Sequence, residues 1–414
     1  MVLALVLLVV LSALVLSRGK RERVPVAVAS ILLLLVTWLT QILATVELLH
    51  TSPDLTYGSD ARFYWSATLE TLSGRAKPLD FPAPLYVLWQ VLVVQLSPGA
   101  HFLWVLFANS VLFSLAFLFQ ILVIAKKLES VKPLARQADY FVLVFLTISF
   151  WVNGIVLWMV ARGMKEVLII YFLSFMMFLY SYGTFWRIVG FLLTFFAMAG
   201  LRPLGAVIPL IGVLAESRFF PRVKNIGALF IAIALALVLG ERFMNGIGVL
   251  GWFREQFGRE AAEEFANEQI FNMPILGYWI AILRFVLGPG PFRSLEQIIS
   301  GTIFEVSTRV GDALIFLGSV HWWITLFFLT LRIFLSRKAR KHLGEAIYLQ
   351  KGWFFMGLTL AATYAYIYFG TGDTRHRALL YLLWSPVFVT YFYMARLEGV
   401  KPNEEALPLP HHPR

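Results

Sequence analysis

The stretch "FLWVLFANSVLFSLAFLFQILVIA" (residues 102–125) runs straight into "KKLESVKPLAR" (126–136). The first part carries no charge over a length that suits a bilayer span, which needs roughly 20 apolar residues. The second part is basic and broken by a proline. Cations that follow an apolar run mark the end of a span that faces the cytoplasm. The same alternation recurs along the chain, and it decides the fold class: an all-α, polytopic transmembrane helical bundle.

Apolar runs lie at about 1–17, 25–47, 102–125, 139–160, 167–185, 188–200, 203–215, 225–243, 311–334, 353–369 and 377–395. They predict about 11 membrane helices. Two shorter runs, 84–97 and 277–288, fall below spanning length and are expected to be interfacial or re-entrant. The basic clusters "RGKRER", "KKLESVKPLAR", "ESRFFPRVKN" and "SRKARKHLGEAIYLQKG" then all face the cytoplasm, with the N-terminus outside. The opening "MVLALVLLVVLSALVLS" has its charge after the apolar part, so it reads as a retained helix and not a signal peptide. The runs 188–200 and 203–215, joined by "LRPL", read as a hairpin of short helices with Arg202 at its apex; the alternative is one long helix kinked at Pro203. Residues 1–400 form one membrane domain, with outer loops at 48–101 and 244–310. The Pro-rich tail 401–414 is expected to be disordered and cytoplasmic.

Composition agrees with this layout. Of 414 residues, 59% are hydrophobic and 14% charged, against roughly 25% charged in soluble domains. A net charge of +11 would suggest nucleic acid in a soluble chain. Here most basic residues flank apolar runs, which fits topology control and anionic lipid, and no nucleic-acid partner is expected. The absence of cysteine excludes disulfides, thiolate nucleophiles and Cys-based metal sites. No cofactor or metal is required.

Some cations contradict the topology rule. Arg62, Arg162, Lys165, Arg202, Arg284, Arg293, Arg375 and Arg377 fall on the outer face or at the hairpin apex. Charge near hydrocarbon usually faces a cavity or a partner. Asp54, Asp60, Glu166 and Asp373 compensate part of it; a phosphate or pyrophosphate ligand would balance the rest, and the Arg fork suits phosphate. The plain alternative is helix-end anchoring to headgroups. In "ARGMKE", Arg162 and Glu166 stand four apart and pair if the chain is helical there, leaving Lys165 for a ligand. In "GDTRHR", His376 sits between Arg375 and Arg377 as a possible proton carrier.

"GSDARFYWSATLETL" (58–72) reads as a helix at the outer surface, with Phe63, Tyr64 and Ala67 toward the membrane. Asp60 is either its N-cap or a general base that removes a proton from a sugar hydroxyl. Tyr64 suits contact with a glycan. "FREQFGREAAEEFANEQIF" (253–271) reads as an amphipathic outer helix, and "LGPGPFRS" (287–294) as a rigid turn that positions Arg293.

The order of these features resembles the C-type (GT-C) membrane glycosyltransferases and the related bacterial polysaccharide, or O-antigen, polymerases. The resemblance rests on "GSDARFYW" with Asp60, "PAPLYVLW", "LRPL" at 201–204, "LRFVLGPGPF" at 283–292, and Arg375 with Arg377 before the last helix. Two departures from that resemblance are expected: a chain shorter than most GT-C enzymes, and no counterpart of their soluble C-terminal domain within these 414 residues. The resemblance implies transfer of a glycan from an undecaprenyl-type polyprenyl-pyrophosphate carrier to a lipid-linked acceptor, as in lipopolysaccharide assembly. Its setting would be the bacterial inner membrane, with the active face toward the periplasm and a possible chain-length-regulating membrane partner. Alternatives are a transferase that uses a polyprenyl-monophosphate sugar, and a transporter (flippase) for lipid-linked glycans.

Overall fold

The computed structural model describes residues 2–17, 20–48, 58–131, 134, 137–217, 274–300, 309–368 and 374–399. Every regular element among them is helical. The α-helices are α1 (Val2–Leu16), α2 (Lys20–Leu48), α3 (Gly58–Leu72), α4 (Pro84–Gln95), α5 (Phe102–Glu129), α6 (Gln137–Trp151), α7 (Gly154–Ala161), α8 (Glu166–Tyr180), α9 (Thr184–Leu201), α10 (Val207–Glu216), α11 (Pro274–Leu287), α12 (Pro291–Ser300), α13 (Arg309–Leu335), α14 (Arg337–Leu349), α15 (Lys351–Tyr368) and α16 (Thr374–Gly399). The amphipathic stretch 253–271, the run 225–243, Asp54, Asp373 and the tail lie outside the described residues.

Among the described residues, five helices are long and apolar enough to cross a membrane: those within 22–47, 102–129, 184–201, 309–335 and 374–396. A sixth span results if α6 and α7 count together, although they meet at 62°. The expected eleven spans are therefore not all of spanning length. At 1.5 Å per residue, the 15 residues of α8 cover roughly 22 Å, short of a roughly 30 Å hydrocarbon core. The 10 residues of α10 cover less still.

α5 is the central element. It is apolar on nearly every side and buries Phe113, Phe117, Leu118 and Ile124, as expected of a helix with no polar face. Gln120, one of its two buried amides, has a definite partner. Pro386 lies inside α16 and has no N–H, so the carbonyl four residues earlier, Leu382 O, loses its helical donor. Gln120 Nε2 donates to that carbonyl at 2.9 Å. Gln120 Oε1 accepts from Trp151 Nε1 at 2.7 Å and Ser385 Oγ at 2.9 Å. No water reaches a bundle core, so such groups must satisfy one another.

The α6–α7 break is built on Asn153. Its Oδ1 caps α7 by accepting from Ile155 N at 2.9 Å, and its Nδ2 donates to Gly318 O of α13 at 2.9 Å. Gly154 and Gly318 let the two backbones meet: a Cβ on Gly154 would lie 2.0 Å from Leu314 O.

Two ends of the bundle emerge. At one, Lys127 pairs with Glu216, whose Oε1 also accepts from Gly352 N at 3.0 Å. Beside them, a cleft of ≈ 200 Å³ is lined by Glu22, Lys126, Glu129, Tyr140 and Ser181. The described parts of the clusters at 18–23, 126–136 and 336–352 thus gather at one end, as the charge pattern predicts, while the cations of "ESRFFPRVKN" lie outside the described residues. At the other end stand α3, α4, the 162–165 link and the N-termini of α8 and α16. There Glu47 of α2 caps α13, accepting from Arg309 N at 2.7 Å and Val310 N at 3.1 Å. α9 starts at the basic end, where Arg187 Nε donates to Tyr180 O at 2.9 Å, and α10 returns to it at Glu216. The two helices therefore form the expected hairpin. Its apex is Arg202, in extended backbone (φ −157°, ψ 112°) because the following Pro203 disfavours the helical region.

Candidate functional site

The site sits at the end opposite the basic clusters, and each side chain arrives on an element with a local reason for its position. α3 buries Ala61, Tyr64, Trp65, Ala67 and Thr68, one helical face. Phe63 is exposed, whereas Tyr64 and Ala67, expected beside it toward the membrane, are buried against the bundle. Asp60 lies in the first turn of α3, where the helix dipole favours a carboxylate. Thr68 Oγ1 donates to Gln90 Oε1 at 2.7 Å and ties α3 to α4.

The link after α7 depends on Gly163. Its φ of +62° is left-handed, and a Cβ there would lie 2.7 Å from both Leu106 Cδ2 and Phe102 Cζ. Tyr86 OH donates to Gly163 O and holds the turn from α4. This turn separates α7 from α8, so Arg162 and Glu166 are not one helical turn apart. The expected Arg162–Glu166 pair is not among the ion pairs of the described residues. Glu166 opens α8 instead, fully buried, and faces the apex of the α9–α10 hairpin.

Glu166 is the centre of the site. Its Oε1 lies 2.8 Å from Arg202 Nη2, 3.7 Å from His376 Nε2 and 3.9 Å from Arg375 Nε. Arg375 also pairs with Asp60. Arg202 Nη2 lies 2.7 Å from His376 Nε2. A guanidinium has no acceptor, so Nε2 must offer its lone pair, and His376 is the neutral tautomer with its proton on Nδ1. The His376–Glu166 approach is accordingly not an ion pair. The His376 ring stacks on Tyr364 with centroids 4.2 Å apart, and the Arg202 guanidinium lies 5.3 Å from the Tyr364 centroid.

Lys165 Nζ donates to Tyr64 OH at 2.8 Å, and Tyr64 packs edge-on against Tyr86, with ring centroids 5.4 Å apart. Burial lowers Lys165 to about 8, aided by Arg202 and Arg375 and opposed by Glu166 and Asp60. Burial raises Tyr64 to about 12, with Asp60 and Glu166 acting in the same direction.

The structure thus brings together Asp60, Tyr64, Lys165, Arg202, Arg375 and His376. The other candidates lie elsewhere. Arg62 is on the exposed face of α3. Arg162 is buried at the C-terminal cap of α7. Arg284 is half-buried on α11. Arg293 is in α12, its side chain outside the described residues. Arg377 lies over the C-terminal end of α11, where a Cβ on Gly288 would meet its Nη2 at 2.8 Å. Tyr381 OH and Trp322 Nε1 donate to Gly288 O and Val286 O there, both at 2.8 Å. A cation at a helix C-terminus complements the dipole, so Arg377 has a structural task.

Sequence reasoning treated Glu166 as a compensating charge or a partner of Arg162, quoted Tyr86 only within "PAPLYVLW", and missed Tyr364 and Gly163. A lone glutamate at the head of "EVLIIYFLSFMMFLY" was the available signal, because an acid that enters an apolar run needs a buried partner. No protein-family model, no curated protein sequence and no solved structure matches this chain.

Proposed function

We propose that the chain is an integral membrane glycosyltransferase of the GT-C or polysaccharide-polymerase kind. On this reading it moves a glycan from a polyprenyl-pyrophosphate carrier to a lipid-linked acceptor. The observation that carries it is the gathering of Asp60, Lys165, Glu166, Arg202 and Arg375 at the end opposite the basic clusters. These residues come from α3, the 162–165 link, the head of α8, the hairpin apex and the head of α16. Three cations face two carboxylates, so a net positive charge among these residues favours an anionic ligand.

Asp60 is the carboxylate that reaches the surface, with 39% of its side chain exposed against 0% for Glu166. In the proposed reaction it accepts the proton of the acceptor hydroxyl, whose oxygen attacks the anomeric carbon. The bond from that carbon to the phosphate oxygen breaks, and its electron pair leaves with the pyrophosphate, which the cations stabilise. Glu166 keeps Arg202 and Arg375 in place and takes no part in bond making. With the basic clusters cytoplasmic, the site faces the periplasm of a bacterial inner membrane, and the eleven-element layout needs the run 225–243, outside the described residues, as well as the shorter apolar helices. A chain-length-regulating membrane protein is the proposed partner.

The test is Asp60→Asn in purified, reconstituted protein. Loss of a general base lowers turnover by about 10²–10⁴-fold, while binding of the lipid-linked donor persists. Transfer within a few-fold of wild type removes Asp60 from the base role. If glycan crosses the bilayer unchanged in the variant, and wild type makes no new glycosidic bond, the chain is a transporter.

A further inference from the structure

We propose that Lys165 supplies the uncompensated positive charge that an anionic phosphate headgroup neutralises, and that loss of the Lys165 proton releases that headgroup. The proposal rests on the reading of the site as an anion site and adds which charge does the selecting. The two carboxylates within reach each lie against a guanidinium: Glu166 against Arg202, and Asp60 against Arg375. Among the described residues, no carboxylate lies within 4 Å of Lys165, and its ammonium donates only to a neutral hydroxyl, Tyr64 OH. Three N–H donors serve one acceptor, so two remain for a ligand.

Tyr64 completes the contact. Its oxygen accepts from Lys165, so its own hydrogen points elsewhere, and its rise to about 12 keeps that hydrogen in place at any physiological pH. Ammonium and phenol together offer an anion two kinds of donor. Their position does not depend on a flexible loop. Tyr86 anchors Gly163 O two residues before Lys165 and packs against the Tyr64 ring. The charged and titratable groups that face Lys165 are Asp60 and Tyr64 from α3, Glu166 from α8, Arg202 from the hairpin apex, and Arg375 and His376 from α16. Removing the proton from Lys165 relieves first the cost of burying an ammonium and then its repulsion with Arg202 and Arg375, which is why the proton is held weakly.

A group that titrates near 8 is about nine-tenths charged at pH 7 and about one-tenth charged at pH 9. A phosphate monoester loses its second proton near pH 6, so the ligand's own charge is constant over that range. The experiment uses the full chain in detergent, with dodecyl phosphate as probe and dodecanol as the uncharged control. The expected result is binding about tenfold weaker at pH 9 than at pH 7, with Lys165→Arg binding alike at both. Wild-type binding that is equal at both pH values overturns the role of Lys165 and leaves the anion site standing. So does a Lys165→Arg profile that falls as steeply as wild type. Absence of dodecyl phosphate binding at pH 7 overturns the anion site itself. Should Lys165→Arg fail to fold, the wild-type profile alone decides.

Discussion

Arg202 Nη2 lies 2.8 Å from Glu166 Oε1, and Arg202 is the non-helical residue that divides α9 from α10. One residue thus breaks the hairpin and neutralises the buried acid beneath it. Arg202→Met keeps the length of the side chain and leaves a carboxylate with no exposure to solvent only the longer, 3.9 Å approach of Arg375. Breaking a buried pair from that side costs about 3–5 kcal/mol. Glu166→Gln keeps an amide oxygen for Arg202, whose side chain is 20% exposed and reaches solvent. Its cost is that of a weakened hydrogen bond, about 1–2 kcal/mol. Unfolding in detergent should rank Arg202→Met well below Glu166→Gln; equal losses would mean that Glu166 is not the buried centre of the site.

Gly163→Ala combines two penalties. An L-residue at φ +62° pays roughly 1–2 kcal/mol. Crowding against Leu106 and Phe102 at 2.7 Å adds about 1–3 kcal/mol. Gly74→Ala is the natural control, because its φ is +74° and nothing lies within 4 Å of the added Cβ. The difference between the two variants isolates the packing at the turn that carries Lys165. Matching unfolding midpoints for the pair would show that Gly163 is needed for its dihedral alone.

The approach of α7 to α13 is equally specific. Asn153→Ala removes both the α7 cap and the bond to Gly318 O, at a cost of about 1–3 kcal/mol. Gly318→Ala would place a Cβ 2.4 Å from Ile155 N and 2.6 Å from Asn153 Oδ1, so backbone must move. Folded yield should fall further for Gly318→Ala than for Asn153→Ala. The opposite order would put the weight of this crossing on the amide and not on close backbone contact.

The apolar runs and the basic clusters were legible in the sequence, because hydrophobic length and flanking charge are local properties. The hairpin at "LRPL" was legible for the same reason: proline acts on the residue before it. The α6–α7 break was not, since "FWVNGIVLW" reads as a mostly apolar run and the Asn153 side chain on which the break is built is held by Gly318 O, more than 160 positions away. The partners in the site were missed in the same way. Asp60 with Arg375, and Glu166 with Arg202, join segments whose spacing carries no periodic signal. Arg377 was grouped for a ligand with the other outer-face cations, two residues from Arg375. On a helix that spacing turns a side chain toward a different neighbour, here the end of α11.

Stability at alkaline pH should follow Lys165. Burial and the nearby guanidiniums bring it to about 8 in the folded chain, against an ordinary 10.5. Between those values the unfolded chain binds a proton that the folded chain has released, so stability rises with pH over that interval. Below about 8 both states hold the proton, and the cost of burying the ammonium is fully present. Tyr64 acts in the other direction: it is held at about 12 in the fold against an ordinary 10, so above about 10 the unfolded chain loses its proton first and stability falls. The useful window is therefore about pH 8 to 10. Lys165→Met removes the lysine contribution and leaves the others in place. Unfolding of both proteins at about pH 7.5, 8.5 and 9.5 should show wild type gaining on the variant at each step. A constant gap would mean that Lys165 keeps an ordinary lysine proton in the fold, and that its ammonium is better solvated than its contacts imply.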